Sequence, residues 1–187
     1  MEPGARASRS VYRGRILDVR EDTVRFPNGS EGVLEIVRHR GAAAVLPLYG
    51  PAECAEGTGP DVILLRQYRY AAGGTLWEAP AGKLDEGEPP EVCAARELEE
   101  EAGVSASRLI SLTTLLTTPG FSDERIHLFL AVGLREGQQA LEEHEVIECR
   151  RMPLSTAVDM VLAGDIVDGK TVCLVMMAAA SPGLWDG

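Results

Sequence analysis

Four of the residues from 97 to 101 are glutamates, and three of them, Glu97, Glu100 and Glu101, have spacings that place them on one side of a helix. Like charges at these spacings oppose helix formation by roughly 0.2–0.5 kcal/mol per pair. A divalent cation would reverse that sign, because Mg²⁺ prefers oxygen ligands and also accepts water and phosphate. Composition alone favours the other interpretation, a solvated acidic face.

The glutamates need a helix to position them, and the flanking residues predict one over 89 to 103. Pro89 and Pro90 suit a first turn, where a missing amide is no loss, and Glu91 is favourable near the positive helix end. Gly103 is expected to end the helix as a C-terminal cap. The predicted core-facing stripe consists of Ala94, Ala95, Leu98 and Ala102.

The stretch from Gly82 to Val104 resembles the Nudix box of the Nudix hydrolases. It matches at every fixed position, namely Gly82, Glu88, Arg96, Glu97, Leu98, Glu100, Glu101, Gly103 and Val104. In that family the box forms a loop, a helix and a loop that bind Mg²⁺ or Mn²⁺ and hydrolyse a diphosphate linked to another moiety. The resemblance implies a magnesium-dependent or manganese-dependent hydrolase with two or three ions.

Specific roles follow from the same resemblance. It implies metal ligation by Glu97 and Glu101, with assistance from Glu100 in catalysis. It also implies that Glu88 and Arg96 hold the loop.

Length and charge limit the remaining classes of function. A chain of 187 residues with 45% hydrophobic residues is expected to form one catalytic domain. The net charge of −11 argues against nucleic acid and anionic membranes as partners, because such binding is largely phosphate neutralisation by basic groups. No apolar run approaches the roughly 20 residues of a membrane span, and the N-terminus lacks a signal-peptide pattern, so we expect a cytoplasmic protein.

The four cysteines, Cys54, Cys93, Cys149 and Cys173, are scattered and lack a CxxC spacing. This pattern predicts neither a zinc site nor a disulfide framework, and we expect reduced thiols. Cys93 is the one expected near the carboxylates. The three histidines, His39, His127 and His144, have no visible triad partners, and no covalent nucleophile is predicted.

The order of the predicted elements indicates a mixed sheet covered by helices. Residues 1–10 are small and polar and are expected to fray, whereas Asn28-Gly29 between two apolar runs predicts a hairpin. Further strands are predicted at residues 41–50, 61–70, 75–82, 109–116, 126–134 and 146–152. Two helices are predicted at 155–163, capped by Ser155, and at 169–180.

The Nudix resemblance implies that these elements form an α/β/α sandwich, in the α/β or α+β class. We expect an N-terminal hairpin region at 1–40 used in dimerisation, a Nudix hydrolase domain at 41–181 and a tail at 182–187.

Three motifs outside or entering the box narrow the resemblance to the ADP-ribose pyrophosphatase branch. They are RQYRY at 66–70, LWEAPAGKLD at 76–85, and TTPGFSDE at 117–124, whose Pro119 lies fifteen positions after Val104. The resemblance implies a nucleotide-sugar substrate, ADP-ribose, hydrolysed to AMP and ribose 5-phosphate. Two alternatives stay open: a pyrophosphatase for other nucleoside diphosphate sugars or dinucleoside polyphosphates, and a binding module without turnover, which would be expected to lose box glutamates.

Carried over residue by residue, the branch implies that the Ala81 carbonyl also ligates metal and that Arg69 contacts the diphosphate. It places Thr118 and Glu124 beside the reacting centre. Arg66, on the same strand as Arg69, suits forked phosphate recognition, although a solvated strand face is the alternative.

The remaining assignments concern Lys83 and an acidic loop. Lys83 is a second candidate for phosphate binding, with a solvated lysine as the alternative. The general base is left between two residues: Glu143, with Glu145 as a further metal ligand, or Glu124 as the group that orients water. Glu143 and Glu145 also have a plain interpretation as part of a solvated loop.

Enzymes of this branch are usually homodimers that exchange the N-terminal sheet, and the predicted hairpin is consistent with that. Candidates for cross-subunit contacts are Arg13, Arg15, Glu35 and Arg38. Trp77 and Glu78 are candidates for lining the nucleotide pocket, with core packing favoured for Trp77.

Overall fold

The structure is a computed structural model that describes residues 4–50, 54, 59–141 and 146–184. It divides into two compact units. The first contains Met1–Gly41 and Leu116–Arg125, and the second contains Ala42–Leu115 and Ile126–Gly187. None of the helices in the described ranges is long and apolar enough to cross a membrane.

The first unit is built on a three-stranded antiparallel sheet. Its strands are β1 (Gly4–Arg13), β2 (Asp18–Arg25) and β3 (Glu31–Arg38), in the order β1-β2-β3. The predicted hairpin is confirmed as β2 and β3. Gly29 has a φ of 87°, and the Asn28 side chain accepts a hydrogen bond from the Ser30 amide at 3.0 Å, which closes the turn.

The prediction of fraying at the N-terminus is wrong for residues 4–10, because β1 pairs with β2 along its length. Residues 1–3 of that prediction lie outside the described residues. All ten residues of β1 are exposed, so no apolar alternation marks this strand in the sequence. Backbone pairing holds it, together with polar contacts such as Arg9 to Glu21 at 2.9 Å. A strand of this kind depends on its neighbour rather than on burial of its own side chains.

The second unit is built on a seven-stranded mixed sheet. Its strands are β4 (Ala42–Tyr49), β5 (Asp61–Arg69), β6 (Gly74–Glu78), β7 (Ala81–Lys83), β8 (Val104–Leu116), β9 (Arg125–Glu136) and β10 (Ile147–Pro153). The main order is β10-β5-β4-β9-β8, with β4 parallel to β9 and antiparallel to β5. The strand predicted at 109–116 is longer than expected and begins directly after α1.

Helices cover both faces of this sheet. They are α1 (Pro90–Ala102), α2 (Leu154–Ala163) and α3 (Gly169–Ala180). Strand β4 is buried throughout and alternates between two cores: Leu46 packs in the cluster that includes α2 and α3, and Val45 packs in the cluster that includes α1. The predicted α/β/α sandwich with a mixed sheet is confirmed.

The segment predicted as one strand at 75–82 is two strands, separated by Ala79 and Pro80. Strand β6 pairs with β5, and β7 pairs with β4. The break coincides with Pro80, which has no amide hydrogen to donate. Strands β4 and β5 themselves pair at only two positions, Leu48 with Val62 and Tyr49 with Asp61. Strand β7 pairs with residues 42–44 of β4, and β6 pairs with residues 65–69 of β5.

Helix α1 begins and ends close to its predicted limits. Pro89 is the N-cap, and Gly103 is the C-cap in the left-handed region, with a φ of 67°. The Gly103 amide donates to the carbonyls of Leu98 and Glu99. Leu98, on the buried side of the helix, is 1% exposed. Full burial of a leucine side chain stabilises the folded state by roughly 1.5–3 kcal/mol relative to leaving it exposed.

The predicted cap of α2 by Ser155 is wrong. The N-cap residue is Pro153, no side chain caps this end, and Ser155 already lies inside the first turn. The amide of Leu154 instead donates to the Pro60 carbonyl at 2.8 Å. A backbone contact from another part of the chain therefore replaces the local side-chain cap.

Candidate active site

Two glutamates of α1 are buried against strand β7. Glu97 is 8% exposed and Glu101 is 3% exposed. The Ala81 amide donates a hydrogen bond to Glu101 Oε2 at 2.8 Å. Since Glu97 and Glu101 are four residues apart, one side of α1 presents both carboxylates to the same short strand.

Gly82 is required by this packing. A Cβ atom at position 82 would lie 1.7 Å from Glu97 Oε1, well inside van der Waals contact. The backbone of Gly82 does not have a positive φ, so the requirement comes from space and not from conformation. The glycine that opens the box therefore creates the room that the Glu97 carboxylate occupies.

Arg96 connects the loop to the helix. Its Nε and Nη2 atoms donate to the two carboxylate oxygens of Glu88, each at 3.1 Å, and Nη2 also donates to the Lys83 carbonyl at 3.3 Å. Its Nη1 atom donates to Glu97 at 2.6 Å and to Glu100 at 3.1 Å. One guanidinium thus bonds three carboxylates of the box.

Glu88 fixes the loop from the other end. Its side chain accepts a hydrogen bond from the Asp85 amide at 2.9 Å, and its own amide donates to the Asp85 carbonyl at 3.1 Å. The hydrogen bond from Arg96, followed by the one from the Asp85 amide, lowers the pKa of Glu88. The contacts of Glu88 and Arg96 are those expected of residues that hold the loop.

Glu100 differs from the other two glutamates. Its side chain is 43% exposed and its described contact is the hydrogen bond from Arg96. Helical spacing predicts that the three glutamates share a side, but only Glu97 and Glu101 are buried against β7. Glu100 lies at the solvent edge of the group.

This donor set fits a divalent cation that is also held by other ligands. Within the described ranges, no group of three His, Cys, Asp or Glu residues is placed to hold a metal ion. The buried pair Glu97 and Glu101 supplies carboxylate oxygens beside the β7 backbone. Mg²⁺ commonly takes one or two carboxylates, with the rest of its octahedral shell filled by water and substrate phosphate.

Arg69 ends strand β5 and is held by Glu78 of β6. Its Nε donates to one carboxylate oxygen of Glu78 at 2.7 Å, and Nη2 donates to the other at 3.0 Å. The pKa of Arg69 is raised chiefly by this hydrogen bond and, against the effect of burial, by the charges of Glu78 and Glu101. Arg69 therefore lies within electrostatic reach of Glu101.

Sequence reasoning missed the group that completes this arrangement. Lys170 of α3 donates to Glu78 at 2.6 Å and to Asp168 at 2.9 Å. Asp168 also caps α3 by accepting from the amide and hydroxyl of Thr171. The sequence Asp-Gly-Lys-Thr at 168–171 indicates the start of a helix. Nothing in the sequence, however, links Lys170 to Glu78, which lies 92 residues before it.

Two other predicted substrate-binding residues lie in the second unit. Arg66 is exposed, and its guanidinium lies 5.4 Å from the centre of the Trp77 ring, within the range of a cation–π contact. Trp77 packs against the core cluster of α2 and α3. The Lys83 side chain is exposed on β7.

Thr118 and Glu124 belong to the first unit. Glu124 accepts a hydrogen bond from the Thr117 hydroxyl at 2.8 Å and lies 3.4 Å from the imidazole of His39. The Thr118 hydroxyl donates to that of Thr117 at 3.4 Å. The two predicted residues thus share one polar cluster. The remaining predicted residues, Glu143 and Glu145, lie outside the described residues.

Two cysteines contact the backbone of this region. Cys93 lies near the carbonyls of Gly82 and Lys83, and burial raises the pKa of its thiol to about 12. Cys149, which the sequence did not associate with the site, lies 3.2 Å from the Glu101 carbonyl. Burial also raises the pKa of Cys149, to about 11. Neither thiol is therefore suited to act as a nucleophile near neutral pH.

A groove of about 590 Å³ runs between α1 and the start of β8, but it is a different place from the glutamate pair. Its lining includes Val92, Ala95 and Glu99 of the helix and Ala106 and Leu109 of the strand. Neither Glu97 nor Glu101 lines this groove.

Comparison with known families gives two matches along the chain. Residues 38–175 match the model of the NUDIX domain, and residues 6–37 match that of the nucleoside diphosphate sugar hydrolase N-terminal domain. The crystal structure of an ADP compounds hydrolase has a similar fold, with a TM-score of 0.79 over 100% of this chain and 98% of that chain, at 23% identity.

Relatives with similar sequences carry several names. The ADP-ribose pyrophosphatase of Bacillus subtilis (strain 168) is 39% identical over 88% of this chain and 86% of its own. The ADP-ribose pyrophosphatase of Mycobacterium tuberculosis is 38% identical over 93% of this chain and 82% of its own. The GDP-mannose pyrophosphatase of Escherichia coli (strain K12) is 36% identical over 75% and 78%.

We predict that Gly82→Ala weakens binding of a divalent cation by about tenfold or more, because the added methyl group displaces the Glu97 carboxylate. Mn²⁺ titration followed by electron paramagnetic resonance measures this affinity. Gly74→Ala is the matched control, since a Cβ at position 74 meets nothing within 4 Å. Affinity equal to that of the wild type would remove Glu97 from the metal site.

We predict that Glu78→Gln lowers the free energy of unfolding by about 3 kcal/mol near pH 7, because it leaves two cations without their shared carboxylate. Glu78 is 2% exposed. Burial raises its pKa, but hydrogen bonds and charge from Arg69 and Lys170 outweigh burial and lower the pKa overall. A lowered pKa in the folded state gives stability that is present above the unfolded-state pKa of roughly 4.3 and is lost as pH falls through the folded value.

The difference between wild type and Glu78→Gln in urea unfolding should therefore be greatest at pH 6–7 and shrink on acidification below about pH 4. Glu99→Gln, which removes an exposed glutamate, should change the free energy by about 0.5 kcal/mol or less. A difference for Glu78→Gln that is constant with pH would contradict this account.

Proposed function

Because this chain belongs to the Nudix family of hydrolases, we propose that it hydrolyses the diphosphate of ADP-ribose to AMP and ribose 5-phosphate. In this reaction a water oxygen forms a bond to one phosphorus atom, and the bond from that phosphorus to the bridging oxygen breaks. The bridging oxygen leaves on the other phosphate, and the two protons of water are shared between the solvent and the products.

One observation carries the choice of substrate. Two relatives that match most of this chain, at 38–39% identity, are both named ADP-ribose pyrophosphatase. The match is not confined to the box, since 88% or more of this chain is included in each case. It therefore includes the segments before and after the box that the substrate would contact.

The buried glutamate pair supports a metal site formed by Glu97, Glu101 and the Ala81 carbonyl, with Glu145 as a further ligand. Two or three Mg²⁺ or Mn²⁺ ions bound there would neutralise diphosphate charge and make a nearby water more acidic. The contribution of the chain is to hold both carboxylates at β7, where Gly82 leaves room and the Ala81 amide orients Glu101.

Arg69 is the proposed ligand of the diphosphate. Glu78 occupies one edge of its guanidinium, through Nε and Nη2, and no described residue bonds Nη1. The side chain is 42% exposed, so this second edge is accessible to an anion. A guanidinium that is fixed on one edge and open on the other suits forked recognition of phosphate.

Three further residues complete the proposed substrate site: Arg66, Lys83 and Thr118. Arg66 and Lys83 are both exposed cations of the second unit. The Thr118 hydroxyl supplies a neutral hydrogen-bonding group. These assignments rest on the family resemblance and on side-chain chemistry.

The proposed base is either Glu143 or Glu124, with Glu100 assisting. Glu124 has one carboxylate oxygen bonded by Thr117 and the other facing His39 at 3.4 Å, so its orientation is fixed. A carboxylate with a fixed orientation can align water as well as accept a proton. Glu143 belongs to the acidic segment after β9, and it remains a candidate by resemblance.

The first unit supports a homodimer in which residues 1–40 form the dimerisation region and residues 41–181 the catalytic domain. Its apolar side chains are exposed in large number for so small a sheet. They include Val11, Tyr12, Ile16, Leu17, Val33 and Leu34, each at least 37% exposed. Exposed apolar side chains in this number favour an association site.

A second candidate function is hydrolysis of another nucleoside diphosphate sugar or of a dinucleoside polyphosphate. A relative named GDP-mannose pyrophosphatase favours the first of these. The metal site and Arg69 would act on the diphosphate in the same way, and only the contacts to the two ends of the substrate would differ.

We predict Mg²⁺-dependent turnover with ADP-ribose among the best substrates of a panel that also contains GDP-mannose, NAD⁺ and diadenosine polyphosphates. The measurement is kcat/KM for each compound, which ranks the substrates, together with identification of AMP and ribose 5-phosphate as the products from ADP-ribose. A clear preference for GDP-mannose would replace the proposed substrate by the alternative. Turnover without added metal after chelation would contradict the cofactor assignment.

We predict that Glu101→Gln lowers kcat by about a hundredfold or more, because an amide is a poor substitute for a buried carboxylate ligand. Circular dichroism should show an intact fold. Wild-type turnover would remove Glu101 from the metal site.

At saturating Mg²⁺, Glu124→Gln and Glu143→Gln separate the two candidate bases, because only loss of the base should abolish the alkaline plateau of kcat.

We predict a homodimer in solution, with a molar mass by light scattering of about twice the 20.1 kDa of one chain. Replacing Val11 and Tyr12 by serine should shift the equilibrium towards the monomer, since both side chains are more than half exposed in one chain. Arg150→Ser, elsewhere on the surface, is the control. A wild-type monomer at micromolar concentration would contradict the proposal.

A further inference from the structure

Lys170 is an unusual residue in this chain. The sequence has only two lysines, Lys83 and Lys170, whereas the other sixteen basic residues are arginines. The Lys170 side chain is 11% exposed and lies between two carboxylates, those of Glu78 and Asp168. A compact ammonium group with three donors fits between two closely placed acceptors, where a planar guanidinium would need more room.

Lys170 and Arg69 share a single carboxylate. Glu78 Oε2 accepts from Lys170 Nζ at 2.6 Å and from Arg69 Nη2 at 3.0 Å, while Oε1 accepts from Arg69 Nε at 2.7 Å. The Glu78 carboxylate therefore accepts hydrogen bonds from two cations, and it cannot rotate without losing at least one of these bonds. Its plane, and with it the direction of the Arg69 guanidinium, is fixed.

The charges of the group also matter for an anion. Arg69, Lys170, Glu78 and Asp168 contribute two positive and two negative charges, which cancel. Without Lys170 the group would carry one net negative charge directly behind the open edge of Arg69. That charge would disfavour a diphosphate, and in a partly buried place it would be weakly screened.

Contacts other than those of Lys170 also attach α3 to the sheet. The Ala79 amide donates to the Thr171 hydroxyl at 2.8 Å, and Asp168 caps the helix through the Thr171 amide. Leu174, Val175 and Ala178 of α3 are fully buried in the core. The distinctive feature of the ammonium group is its bond to Glu78, the carboxylate that also holds Arg69.

We propose that Lys170 is a positioning residue for substrate binding: through Glu78 it holds the Arg69 guanidinium with one edge open and keeps its charge available to the diphosphate. The proposal rests on the proposed function, because it takes Arg69 as the ligand of the diphosphate. It makes the start of α3 a part of the binding machinery, although Lys170 itself need not touch the substrate.

The test is a double-mutant cycle with Lys170→Met and Arg69→Met. Lys170→Met should raise KM for ADP-ribose about tenfold and change kcat less than threefold, as expected for loss of one charge-assisted hydrogen bond that acts on binding. In the Arg69→Met background the same change should have little further effect, because the residue through which Lys170 acts is gone. Lys170→Arg should restore part of the affinity.

Arg150→Met is the matched control, since it removes one positive charge from an exposed pair with Glu148 and should leave KM unchanged. Equal effects of Lys170→Met in both backgrounds would overturn the proposal, because a merely structural role gives additive losses. Unchanged KM in Lys170→Met would also overturn it. Should Lys170→Met fail to fold, Lys170→Gln takes its place in the same cycle.

A second probe separates this proposal from the choice of substrate. The dissociation constant of α,β-methylene-ADP, a diphosphate analogue whose P–C–P link resists hydrolysis, is measured by calorimetry for all four members of the cycle. If ADP-ribose is not a substrate but the analogue shows the same non-additive loss, the proposed function fails and the role of Lys170 stands. Additive or absent losses with the analogue overturn the role of Lys170 even where ADP-ribose is hydrolysed.

Discussion

Arg96 bonds three carboxylates that would otherwise repel one another. Glu97 and Glu100 lie on one side of α1, and Glu88 lies in the loop before it, so that the guanidinium closes the loop onto the helix. One positive charge cannot balance these groups together with Glu101, and the region keeps a surplus of negative charge. The same contacts thus join the loop to the helix and leave the segment attractive to a cation.

The overall charge of −11 describes this region poorly. Within one unit of the structure, buried carboxylates face β7 on one side, and on the other a carboxylate, Glu78, supports the open guanidinium of Arg69. A diphosphate with its counter-cations requires both signs of charge in neighbouring places. Local hydrogen bonding, rather than net charge, provides them.

Much of the fold could be predicted because its signals are local. The proline pair and Gly103 limit α1, and Asn28-Gly29 forms its turn through contacts between near neighbours. Strand β1 was missed because an exposed strand paired on one side needs no apolar alternation. In the site, helical spacing alone grouped Glu97 and Glu101 with the more exposed Glu100, and only the family resemblance gave Glu100 a different role. No local pattern connects Lys170 with Glu78.

The short pairing between β4 and β5 has a mechanical consequence. The two strands are joined at Leu48 with Val62 and Tyr49 with Asp61, and beyond that point each continues with a different short partner, β7 or β6. The sheet is therefore open between β4 and β5 beyond these two pairs. Ala81 lies on the β4 side of the gap, in β7, and Arg69 lies on the other side, at the end of β5. The groups proposed to bind the cation and the diphosphate, Ala81 and Arg69, therefore belong to opposite sides of one gap in the sheet, and the two-residue link between β6 and β7, Ala79 and Pro80, connects those sides.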